Sequence, residues 1–381
     1  MIHENIKLDR RHELDWPRVF AMLVLLLYHT ARLFDTDWWH IKNDEITGEF
    51  HYWLALVSTW RMPLLFFISG AGTYLAFRKS SAVRYITDRV KRLIVPLVFS
   101  MATLLPIQTY YEHKTELGSY WDFYKSVTDF IPYYQGNLNL YHLWFLRYLF
   151  VYSILAVPIL LFLRSDRSRY LRSMSIHPLV VMLIPPIIPL AARFLFLPEH
   201  VERFFVTFYF CYFLFGIAFY CNSNNRDAIY KSRAYCLIAA VVLLVFHSLT
   251  YGYGETKYLA NTINIKAANA TISIFLGWFC LAALIGYAQR YLNHAKTWQT
   301  TINEGIYPFY ILHQTFVVVI GYYICQLSWS IASKFWTVNI LTLLSCIIFY
   351  VAFIRPFNVV RFCFGMKLKH KKVPPVISVN N

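Results

Sequence analysis

The sequence predicts an all-α polytopic membrane protein with about ten transmembrane helices and both termini cytoplasmic. Hydrophobic residues make up 58% of the 381 positions and charged residues only 15%, against about half and about a quarter in soluble domains. Mean hydropathy is +0.43. The apolar residues gather in runs long enough to cross the roughly 30 Å of bilayer hydrocarbon, which takes about 20 residues of helix. Aromatics reach 19%, so the chain collapses rather than staying disordered. Gly and Pro, 13 and 15 in number, follow no period that would suggest a collagen-like or low-complexity class.

Ten runs qualify: 16–36, 52–77, 91–109, 142–163, 177–197, 203–221, 233–251, 267–288, 305–326 and 335–355. Each is too continuous for the alternation of a barrel strand, and helices satisfy their own backbone groups in lipid. The first run, LDWPRVFAMLVLLLYHTARLF, has no small-residue cleavage site after it, so it is expected to remain as an anchor. The second contains RMPLLFFISGAG. Its glycines lack the preceding strand of a dinucleotide loop and fit close helix packing instead. The third is entered through RVKRLIVP, the fourth opens with YHLWFLRYLF, and the ninth reads GIYPFYILHQTFVVV. The two halves share no motif of the kind that marks transporter repeats.

Charge sets the expected orientation. The chain carries a formal net charge of +16. With the N-terminus inside, the cytoplasmic segments collect Arg78, Lys79, Arg84, Arg89, Lys91 and Arg92, then Arg164, Arg167, Arg169 and Arg172, and later a basic tail at 356–381. The opposite loops collect acids such as Asp35, Asp37, Glu112, Asp122 and Glu202. Cytoplasmic loops of membrane proteins are enriched in Lys and Arg, so the basic excess needs no nucleic-acid partner. The seven cysteines stand singly without a CxxC pair, which suggests neither a disulfide framework nor a metal site. The chain reads as one transmembrane domain over 1–381. Within it lies an aromatic-rich extracytoplasmic loop at 110–141, either interfacial or part of an acceptor-binding lip.

Ionisable residues inside spans are costly, and so are candidates for function. Asp15, Arg18 and His29 return to nearly one helical face at about 100° per residue. His29 lies about 16 Å along the helix from Arg18 at 1.5 Å per residue. Arg61 falls in the second span beside Pro63, and Arg89 and Arg92 share a face where the third begins. His142 is expected at the outer surface, with Arg147 about a turn and a half further in. Arg32 lies one turn outward of His29. His313 falls two turns inside the ninth span. Polar groups thus run from one face of the membrane to the other.

These residues and motifs identify the chain as resembling the membrane-bound acyltransferase 3 family, ten-span proteins that modify extracytoplasmic carbohydrates. The resemblance covers nearly the whole chain. It rests on Arg18 and His29 with ten residues between them, Arg89-x-x-Arg92 before Pro96, RMPLLFFISG, HLWFLRYL and YPFYILHQ. Among subgroups the chain is similar to the osmoregulated periplasmic glucan succinyltransferases. The resemblance implies an acyl-CoA co-substrate on the cytoplasmic side, a hydroxyl acceptor outside, and a place in the bacterial inner membrane. No permanently bound cofactor is implied. Guanidinium forks at Arg18, Arg89 and Arg92 suit the phosphates of coenzyme A. His29 suits a general base, His313 a second acid–base group, and Asp15 a support for Arg18. Arg61, Arg147, Arg32 and His142 are the expected substrate-binding residues, with the arginines suited to a dicarboxylic acyl group such as succinyl. Two other readings fit the residues: the same chemistry on O-antigen, capsule or another envelope polysaccharide, and a non-catalytic transporter lined by these polar groups.

Overall fold

The structure, a computed structural model, describes residues 12–114, 117–127, 139–196, 201–254, 263–294 and 297–369. All regular structure among them is helical. The loop expected at 110–141 and the tail at 356–381 therefore lie partly outside the described residues.

The chain begins with α1 (His12–Ala31) and α2 (Gly48–Phe77), the latter capped where the Thr47 hydroxyl accepts the Glu49 amide. Next come α3 (Ala82–Arg89), α4 (Val95–Thr103) and α5 (Leu105–Glu112), which together form one span. A single π turn at Val90–Ile94 joins α3 to α4. After the short α6 (Tyr120–Val127), α7 (Trp144–Leu155) and α8 (Val157–Arg164) form a pair bent by 42°. Pro158 opens α8, and a proline cannot donate to the preceding turn, so the helix breaks there. The chain continues through α9 (Arg169–Ser173), α10 (Pro178–Leu195), α11 (Val201–Tyr220), α12 (Ser223–Gly254) and α13 (Ile263–Tyr291). It closes with α14 (Thr297–Ile324), α15 (Ile331–Phe349) and α16 (Asn358–Cys363).

Eight of these helical stretches are long and apolar enough to cross a membrane, nine if the bent α7–α8 pair is one span. That is fewer than the expected ten, and the difference lies in α1. Its first turns carry His12, Glu13, Asp15 and Arg18, which lower its hydropathy. It packs instead against α2, α13, α14 and α15. Enclosure by four helices is what allows α1 to keep Glu13 and Asp15 buried, because neighbouring protein replaces the lipid that would penalise them. Helices α10 and α12 do the opposite. They expose Leu183, Ile184, Ile187 and Ile188, and Val241, Val242 and Val245, a surface suited to lipid.

Gly70 of the second span acts in packing, as the sequence context suggested. A Cβ on Gly70 would lie 1.9 Å from the Phe213 carbonyl oxygen, and one on Gly216 would lie 2.0 Å from that of Phe67. Helices α2 and α11 therefore cross backbone against backbone. Gly72 has nothing within 4 Å of the same construction. Gly70→Ala is expected to force the crossing apart and destabilise by about 1–3 kcal/mol, the usual cost of overpacking, whereas Gly72→Ala should be near neutral. Thermal unfolding of the two variants in detergent checks the contrast; equal melting temperatures would contradict it.

Candidate active site

One cavity of ≈ 740 Å³ opens between the N-terminal halves of α1 and α14. Arg18, Arg89 and Arg92 all line it, so cations from α1 and from the junction of α3 with the π turn face one cavity. Arg18 lies 3.7 Å from Asp15, the contact expected of that carboxylate. Arg89 stacks over Tyr85 with 4.8 Å from guanidinium carbon to ring centroid. The placement of Arg92 follows from Pro96. Four residues ahead of it, the Arg92 carbonyl loses the amide it would bond in a regular helix. The Tyr307 hydroxyl donates to it instead at 2.6 Å, which ties α14 to this span at the edge of the cavity.

A fourth cation, Lys367, also lines the cavity; sequence reasoning had left it within the basic tail. It arrives through a turn at Gly365, whose φ of +64° suits glycine. A Cβ there would lie 2.7 Å from the Arg92 carbonyl oxygen. Buried Arg361 fixes this turn by donating to Glu304 of α14 at 2.5 Å and to the Lys367 carbonyl at 2.6 Å. The signal in the sequence was weak, since a lysine in a basic tail reads as ordinary anchoring.

The cavity reaches inward to Tyr310 and Phe145. Behind Tyr310 stand three histidines from three helical segments. The His313 ring centroid lies 5.2 Å from that of His29 and 5.1 Å from that of His142. Tyr310 packs against both His142 and His313, at 5.6 and 6.0 Å. His142 was expected at the outer surface; it is 6% exposed and belongs to this cluster. The reason is local. Its segment enters α7 through one tight turn at Tyr141–Leu143, and the Tyr310 hydroxyl holds the His142 carbonyl at 2.6 Å.

Backbone contacts fix two of the rings. His313 Nδ1 is 2.7 Å from the Tyr310 carbonyl oxygen, and His142 Nε2 is 3.2 Å from that of Ile311. A carbonyl only accepts, so each of these nitrogens must carry the proton. In a neutral ring the other nitrogen is then a free base. Those nitrogens, His313 Nε2 and His142 Nδ1, are buried without a hydrogen-bond partner among the described residues, as is His29 Nδ1. The arrangement can accept protons from a substrate and return them.

Arg61 is 5% exposed and lies over the Tyr28 ring at 3.8 Å. Its Nε and Nη1 meet no partner among the described residues. A buried guanidinium of this kind is suited to a carboxylate or an oxyanion. Arg32 and Arg147 are not brought to it. Arg32 is bonded to Asp35 and, at 2.8 Å, to Asp37, so its charge is already matched; that hydrogen bond holds the Asp37 carboxyl below its ordinary pKa. Arg147 is exposed on α7, over Tyr148. Asp35, Asp37 and His51 come close enough together to hold a metal ion, but Arg32 and Lys42 already engage the two carboxylates.

Known proteins resemble this chain over most of its length. Proteins named "Glucans biosynthesis protein C" from Salmonella paratyphi B, Salmonella heidelberg and Salmonella dublin are each 22% identical over 347 residues. The matches cover 84% of this chain and 85% of each relative. No solved structure gives a significant match. The model of the acyltransferase 3 family, described as "Acyltransferase domain", matches residues 11–355, a span that takes in Arg18, Arg89 and Arg92, the histidine cluster and Arg61. The chain belongs to that family.

Proposed function

We propose that this multi-pass acyltransferase moves an acyl group from acyl-CoA to a hydroxyl of a periplasmic glucan, across the bacterial inner membrane. The observation that carries this reading is the continuity of the site. A cavity walled by Arg18, Arg89, Arg92 and Lys367 ends at Tyr310, against the histidine cluster. Phosphates of coenzyme A pair with the arginines, and the thin pantetheine arm extends along Met22, Leu65 and Leu149. The basic segments flanking this end favour a cytoplasmic orientation for it. The names of the Salmonella relatives favour a glucan as acceptor over another envelope polysaccharide.

The transfer is direct. The acceptor hydroxyl oxygen attacks the thioester carbonyl, a C–O bond forms, and the C–S bond breaks. The hydroxyl proton passes to an imidazole and then to the departing thiolate, so the reaction needs no further reactant. His29 takes the proton, since its ring stacks on Trp39 at 6.0 Å toward the end of α1 remote from the cavity. His313 and His142 stand on the donor side, beside Tyr310.

Arg61 favours a dicarboxylic acyl group such as succinyl, because a free carboxylate would match its unpartnered N–H groups in a setting with little other charge. With acetyl-CoA and succinyl-CoA supplied together, succinyl transfer should dominate. Arg61→Gln should narrow that preference by about tenfold or more, the worth of one charged hydrogen bond. Preferential acetyl transfer by the wild-type protein would contradict the assignment.

A further inference from the structure

A second, smaller cavity of ≈ 220 Å³ lies at the other end of α1 and α14. Its lining includes His40, Asp44, Tyr111, Glu112, Lys114 and Tyr322. None of these residues has a role in the donor site. At about 30 Å³ per liquid water, the space is that of roughly seven waters, suited to one sugar ring rather than a longer chain.

The floor of this cavity is built. The His40 and Glu112 side chains are 9% and 5% exposed and meet at 2.8 Å. Glu112 also accepts from the Tyr141 hydroxyl at 3.1 Å, and Tyr141 pairs with Thr109 at 2.7 Å. Tyr141 has a φ of +39°, the only positive value at a non-glycine among the described residues. Its ring meets His40 edge-on at 4.6 Å. His40 therefore sits in a fixed orientation, held by a carboxylate and an aromatic ring. Trp39, next to it, stacks on His29, so the cavity floor adjoins the catalytic cluster at His29.

Resting on the acyltransferase reading, we infer that this cavity is the acceptor subsite and takes a neutral sugar ring, with Glu112 and His40 as its positioning residues. Charge decides the ligand class. The lining carries two lysines, Lys42 and Lys114, against two carboxylates, Asp44 and Glu112, so no net charge selects an anion. Lys42 is already paired with Asp35 at 2.6 Å. Lys114 lies over three tyrosine rings at 4.6–5.0 Å. What is left to a ligand is a mixture of acceptors, donors and tyrosine faces. Such a set suits hydroxyls that both donate and accept and a ring whose C–H faces are apolar.

The test titrates the purified full-length protein with a β-linked gluco-oligosaccharide, following tryptophan fluorescence and, separately, acyl transfer from acyl-CoA. Glu112→Gln and His40→Ala should each weaken oligosaccharide binding and raise the acceptor KM by about tenfold or more. Donor KM and kcat at saturating acceptor should stay within about threefold. Gln326→Ala, an exposed lining position, should fold normally and raise the acceptor KM by a smaller factor. Unchanged acceptor KM in all three variants, or equal losses in donor and acceptor KM, would overturn the subsite. So would a wild-type response to inorganic phosphate and none to oligosaccharide. Coenzyme A release that persists through any of these results leaves the acyltransferase reading standing while the subsite falls.

Discussion

His29→Ala protein is expected to fold and to bind acyl-CoA as the wild type does, yet to turn over about 10²–10⁴-fold more slowly, the usual worth of a general base. The half-buried ring packs against Trp39 and His313 and leaves Nδ1 without a partner among the described residues, so its removal costs little structure and much chemistry. His313→Ala should act differently. Its Nδ1 is tied to the Tyr310 carbonyl, and losing that tie also loosens the wall between cavity and cluster. A fall in both turnover and donor affinity is the expected result for His313, against a fall in turnover alone for His29. Single-turnover kinetics with bound acyl-CoA separate the two patterns. A stable His29→Ala protein with near-wild-type turnover would remove His29 from the mechanism.

The second large effect concerns the donor. Substituting Gln at Arg18, Arg89 or Arg92 should raise the donor KM by about 10–100-fold each, since hydrogen bonds to charged groups contribute about 1.5–3 kcal/mol, with a smaller change in kcat. The cavity is open to solvent at this end, and Arg18 keeps 34% of its side chain exposed. Donor affinity should therefore weaken with salt, because partly exposed charges are screened over roughly 10 Å at 0.1 M ionic strength. A 3′-dephospho donor should lose affinity in the wild type and lose less in whichever variant lacks the arginine for that phosphate. If the two donors bind alike in every variant, the arginines do not hold the phosphates.

Helical periodicity carried the first part of this site. Arg18 and His29 sit eleven residues apart on one turn-matched face, so the placement of one in the cavity and the other in the cluster was legible from α1 alone. Arg89 and Arg92 were legible through their three-residue spacing and Pro96. The same proline also frees the Arg92 carbonyl for Tyr307, a contact between residues 215 apart that no local pattern announces. His142 was read for its depth alone; its packing against His313 depends on the tight turn at Tyr141–Leu143, which no apolar run announces. Arg32 and Arg147 looked like partnerless cations in a span. Tertiary structure pairs the first with Asp35 and Asp37 and turns the second outward. Among the ten expected spans, α1 alone falls short of a spanning helix by composition, since it depends on its four helical neighbours more than on its own hydropathy.

The central claim is that the basic cavity and the histidine cluster form one acyl-transfer site. Thiol release from acyl-CoA by purified protein, with and without a β-linked glucan, tests it most directly. Glucan-dependent release of one coenzyme A thiol per acyl group gained by the glucan is the expected result, slowed about 10²–10⁴-fold by His29→Ala at any donor concentration and restored by excess donor in Arg89→Gln. Thiol release absent from wild-type protein with every donor and acceptor offered, or present and unchanged in His29→Ala, would contradict it.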